Sequence, residues 1–158
     1  MMLAHCAIWG LFATIVLTTL LAGSQGLGYT RMNVPFLLGT IVTPNRDRAK
    51  VYGVLIHMVN GVIFASVYLF AFQLWGGATW WKGAILGAVH AGFLLSFGVT
   101  FLPALHPHMA SERQGPTVVR QLEPPDFLGL HYGRPTPIAV FVAHVVFGII
   151  LGAFMPHA

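Results

Sequence analysis

Val51-Tyr52-Gly53-Val54-Leu55-Ile56-His57-Met58-Val59-Asn60-Gly61-Val62-Ile63-Phe64-Ala65-Ser66-Val67-Tyr68-Leu69-Phe70-Ala71-Phe72-Gln73-Leu74-Trp75 runs for 25 residues without an aspartate, glutamate, lysine or arginine. As an α-helix it would rise roughly 37 Å, at about 1.5 Å per residue, and so cross a hydrocarbon layer about 30 Å thick. Three further stretches supply the roughly 20 mostly apolar residues that a span needs: 3–22, 80–105 and 137–155. Pro137 suits the first turn of the last one, where its missing N–H is not needed.

The composition of the 158-residue chain agrees, with 56% hydrophobic residues, 8% charged residues and a mean hydropathy of +0.76. A soluble domain carries about 25% charged residues, and so few charges could not clothe a water-facing surface. The expected fold is an all-α integral membrane protein: one domain, a four-transmembrane-helix bundle. The start of the chain has the apolar core of a signal peptide, and Ala22-Gly23-Ser24 faintly matches a cleavage site. It lacks the basic leading region of such peptides, so it is kept as a span. The lone cysteine, Cys6, has no partner for an internal disulfide and says nothing of the redox compartment.

Between the spans, 34–42 is apolar but too short to cross, and Pro35 and Pro44 bracket it. It reads as an interfacial or re-entrant segment. The connection 106–136 is long, polar and proline-rich, and reads as an ordered loop on the membrane surface. Arg31, Arg46, Arg48 and Lys50 lie in the loop 29–50, and Arg113, Arg120 and Arg134 lie in 106–136; only Lys82 falls on the other side. That asymmetry places both loops in the cytoplasm and both termini outside, in a multi-pass protein of a bacterial inner membrane. Trp75, Trp80 and Trp81 then form an aromatic belt at the outer turn. The net charge of +4 belongs to these loops and not to a nucleic-acid surface; anionic lipid headgroups are its natural neighbours.

The second and fourth spans resemble each other. His57 is followed at i+4 and i+8 by Gly61 and Ala65, and His144 by Gly148 and Gly152. Pro35-Phe36-Leu37-Leu38-Gly39 parallels Pro125-Asp126-Phe127-Leu128-Gly129 ahead of them. The first and third spans carry His5 and His90, offset by 85 residues against 87 for His57 and His144. The chain thus reads as a tandem two-helix pseudo-repeat.

An ionisable residue inside a membrane is costly and is a site candidate by default. His57 and His144 lie at equal depth on parallel helices, so their imidazoles can face each other and ligate a haem or another tetrapyrrole, hold a metal, or relay protons. His90 and His5 form a weaker outer pair. One histidine in each span resembles, in outline, four-helix membrane b-type cytochromes; no family motif accompanies it. The bland alternative is neutral histidines hydrogen-bonded within the bundle. Gly53, Gly61, Gly83, Gly87, Gly148 and Gly152 are small-residue positions for close helix packing. His106-Pro107-His108, with Glu112 nearby, is a weak candidate metal site. Asp47, Glu112, Glu123 and Asp126 are the only acids and all lie outside the spans, which disfavours a carboxylate-based pump or cation channel.

No nucleophile–base, phosphate-loop or zinc-protease motif occurs. The leading expectation is a non-enzymatic structural or accessory subunit, partnered by the lipid bilayer and by other membrane subunits or further copies of itself. A tetrapyrrole-binding electron-transfer subunit is the alternative, and a small oligomeric transporter a third.

Overall fold

The computed structural model describes residues 2–111 and 115–155, with side chains from residue 4. Its helices are α1 (Met2–Gly26), α2 (Val34–Val42), α3 (Arg46–Leu74), α4 (Trp80–Phe93), α5 (Val99–Leu105) and α6 (Thr136–Phe154). A turn of π-helix, Leu94–Gly98, joins α4 to α5, so that Trp80–Leu105 is one span. Four helices are long and apolar enough to cross a membrane. This is a four-helix, multi-pass membrane fold.

Two boundaries differ from the sequence reading by more than a residue. The second span begins at Arg46, because the Asn45 side chain accepts from the amides of Asp47 and Arg48 and caps a first turn that is charged. Hydropathy cannot find a helical turn that stands in water. The first span continues to Gly26. The segment 34–42 is a true helix: Asn33 caps it through the amide of Phe36, and Pro35 lies in its first turn.

Glycine fixes who packs on whom. A Cβ on Gly148 would collide with the carbonyl oxygen of Gly83, and one on Gly87 with the carbonyl of His144. These contacts are backbone to backbone, so α4 and α6 touch with nothing between them. A Cβ on Gly61 would collide with the Thr14 hydroxyl, which packs α3 on α1. A Cβ on Gly53 would strike the Pro35 carbonyl, and one on Gly39 the Ala49 carbonyl, which lays α2 along the first turns of α3. Trp9 on α1 stacks on Phe154 of α6 at 4.3 Å, closing the row α3, α1, α6, α4. The fourth side, between α3 and the α4–α5 span, is bridged mainly by side chains.

The loop side is tied separately. Thr30 and Thr136 share a 2.7 Å hydrogen bond, and the Arg31 amide donates to the Tyr132 carbonyl at 2.7 Å. A short 3-10 segment, Phe127–Tyr132, precedes α6 as α2 precedes α3. Gly129 within it has φ +74 and packs on Met32 and Thr136, a position where a side chain would be strained.

Candidate functional site

The stripe His57, Gly61, Phe64, Ala65, Tyr68 points from α3 into the bundle; all are buried or half-buried. Gly61 meets α1 there, and this holds His57 beside Thr18: Nδ1 lies 3.2 Å from the Thr18 hydroxyl. That hydroxyl donates to the Thr14 carbonyl at 2.7 Å, so its proton is engaged and the neutral His57 ring must donate through Nδ1. On α6 the Nδ1 of His144 lies 2.8 Å from the Val140 carbonyl. A carbonyl only accepts, so this ring too carries its proton on Nδ1. Both Nε2 atoms are therefore acceptors.

His90, on α4, completes the group. Its ring lies 4.1 Å from Phe64 and 4.9 Å from His144, edge to face at 79°. Its Nδ1 is 3.3 Å from the Tyr68 hydroxyl. With Tyr68 donating, the His90 proton sits on Nε2, a buried atom without a hydrogen-bond partner. A buried polar atom left unpaired is costly and asks for a partner.

His57, His90 and His144 line one cavity of about 220 Å³. Its walls are otherwise apolar, apart from Thr14 and Asn60. Half-exposed Leu38 of α2, Asn60 and Phe64 of α3, and Leu94 and Gly98 of the π-helical turn are among its lining residues. The π-helical turn forms part of this wall; such turns recur at functional sites. α2 closes the loop end with Leu37 and Ile41.

The structure therefore brings together His57, His144 and His90. It does not bring His5 to them: His5 is exposed near the start of α1, whereas Thr14 and Leu17 are the α1 residues at the cavity. The correspondence of His5 with His90 does not carry into the packing. Gly61 packs on Thr14 and Gly10 on Ala65; in the second hairpin Gly148 packs on Gly83 and Gly87. Matching the two interfaces sets Gly83 against Gly10 and Gly87 against Thr14, an offset of 73 residues. In that register His90 stands where Leu17 stands.

His106 and His108 serve as a latch. Nε2 of His106 lies 3.0 Å from the Leu37 carbonyl and 3.3 Å from the Thr40 hydroxyl, and its Nδ1 accepts from the amide of His108. Both nitrogens of His106 are thus engaged, tying the end of α5 to α2. Burial holds its pKa below the ordinary value, His108 adds to this, and the Leu37 carbonyl works against it. Glu112 lies outside the described residues, among which no group of three metal-ligating side chains occurs.

Tyr68, Phe64, Thr18 and the π-helical turn are participants that the sequence reading passed over. Tyr68 had a signal: it falls eleven residues after His57, on the same helix face. Compared with protein-family models, with curated proteins and with solved structures, the chain matches none.

Proposed function

We propose that the protein is a non-enzymatic membrane subunit that binds a small, largely apolar molecule from the bilayer in the histidine cavity. The observation that carries this reading is the unpaired, buried Nε2 of His90, on a ring that lines the same cavity as His57 and His144. With Tyr68 donating to Nδ1 of His90, the three rings offer one donor and two acceptors in an apolar chamber, which suits a ring bearing carbonyl and hydroxyl oxygens, of the quinone or phenol class. The seam between α3 and α4–α5 is its route in from lipid.

A tetrapyrrole is the weaker reading. The cavity, about 220 Å³, lies below the roughly 300 Å³ at which sites for drug-sized ligands begin.

In this proposal the loop side faces the cytoplasm, since it carries seven of the eight basic residues. The exposed apolar faces of α1 and α3 serve lipid, sister subunits or further copies of the chain. The hairpins α1–α3 and α4–α6 are a tandem duplication in the packing register above, and the third histidine belongs to the second unit alone.

The test is equilibrium binding of a short-chain benzoquinone to the detergent-solubilised protein. An alkyl benzene of equal size serves as control. The quinone should bind more tightly, and His90→Phe should remove its advantage while leaving the weak binding of the hydrocarbon. Equal binding of both probes by the wild type refutes the polar site.

A further inference from the structure

Two cavities meet on the loop side. One, about 210 Å³, lies between α1 and α3; Leu21, Ala22, Val34 and Val54 line it, with Gln25, Asn33 and Lys50. Val54 is one helical turn deeper than Lys50, and Leu21 one turn deeper than Gln25. The other, about 420 Å³, is lined by Arg31, Arg46 and Lys50 with Gln121, Glu123 and Tyr132. Asn33, Phe36 and Lys50 belong to both. Together they make one groove, hydrocarbon-like in its deeper half and cationic at its mouth.

The charges at the mouth are not balanced. Glu123 is taken up by Arg31 at 3.7 Å and by His131 at 2.9 Å. Lys50 pairs with Asp47 at 3.1 Å, both side chains being well exposed, so water screens that pair and an incoming anion can share the ammonium. Arg46 has no carboxylate partner among the described residues; its guanidinium lies 5.2 Å above the ring of Phe36. The stacking holds the charge over the residue at which the two cavities join.

We infer that this groove is the binding site of an anionic phospholipid. Its phosphate lies between Arg46 and Lys50, and one acyl chain runs down between α1 and α3 past Val54. A free phosphate would satisfy the cations but would leave the apolar half bare, whereas a lipid satisfies both. Ala22 and Val54 are exposed on the lipid-facing surface, so the chain of a bound lipid stays continuous with the bilayer. Lipid charge acts on cations near the membrane surface at about fivefold in affinity per Lys or Arg.

The experiment is titration of the full chain in mild detergent with phosphatidylglycerol or phosphatidylcholine, read by native mass spectrometry. The wild type should favour phosphatidylglycerol, and R46Q/K50Q should weaken it by roughly 25-fold, to the level of phosphatidylcholine. R120Q/R134Q removes the same net charge outside the groove and should retain the preference. V54W fills the apolar half and should weaken both lipids, and R46K/K50R should keep the preference. The inference is overturned if the wild type does not distinguish the two lipids, or if both charge-loss variants weaken binding equally. Displacement of the lipid by millimolar glycerol 3-phosphate would also overturn it, since the groove would then be a free-phosphate site.

Discussion

Replacing Gly148 by alanine adds one methyl group where α6 crosses α4. That Cβ would collide with the carbonyl oxygen of Gly83, and it would lie 2.9 Å from the Gly83 carbonyl carbon and 3.0 Å from the Gly87 nitrogen. All three atoms are backbone, so no rotamer change relieves the clash and the helices must part. Overpacking of this kind costs about 1–3 kcal/mol, and parting the helices adds the loss of close packing, the chief attraction between helices in lipid. A loss of about 3 kcal/mol lowers the melting temperature by roughly 6–12 °C for a chain of this size. Gly92, also on α4, is the control: a Cβ there meets nothing within 4 Å. Gly92→Ala relieves only the backbone entropy of a helical glycine and should stabilise by about 0.5–1 kcal/mol. Thermal melting by circular dichroism in one detergent, at one protein concentration, reads both. The two substitutions should move the melting temperature in opposite directions. If they shift it alike, close approach at Gly148 does not hold these helices together.

Gly39→Ala should loosen α2 from α3, since its Cβ would lie 2.6 Å from the Ala49 carbonyl carbon and 2.8 Å from the Gly53 nitrogen. Amide exchange should then rise in α2 and stay unchanged in α6; equal exchange in both variants would count against the contact. His106 is held below the ordinary histidine value of 6.5, chiefly by burial, so the unfolded chain takes up its proton at higher pH than the folded one. The stability of the latch is therefore full above about pH 6.5 and falls on acidification. Denaturation midpoints should decline from about pH 7 to 5 more steeply in the wild type than in His106→Asn, and parallel slopes would refute the assignment. Single cysteines at Asn45 and Val118, in a Cys6→Ala background, should resist an impermeant thiol reagent added from outside. Labelling of both would invert the topology.

The number of spans was legible in the sequence because it depends on run length and on the scarcity of charge, both local properties. That His57 and His144 turn toward one interior was legible for a related reason: small-residue stripes mark the inward face, and both residues line the same cavity. The role of His90 was not legible. Which ring meets which depends on the register of α4 against α6, set where Gly83 and Gly87 meet Gly148 and Gly152, and helices offset by one turn would bring a different side chain to His144. The sequence alignment of His5 with His90 compared positions along two helices, whereas packing compares heights above a shared interface. The latch at His106 lay equally out of reach, since Leu37 and Thr40 stand 69 and 66 residues away. Hydropathy along the chain decides that helices enter the membrane; only the contacts between their backbones decide which polar atoms they enclose and which of these, Nε2 of His90 among them, they leave without a partner.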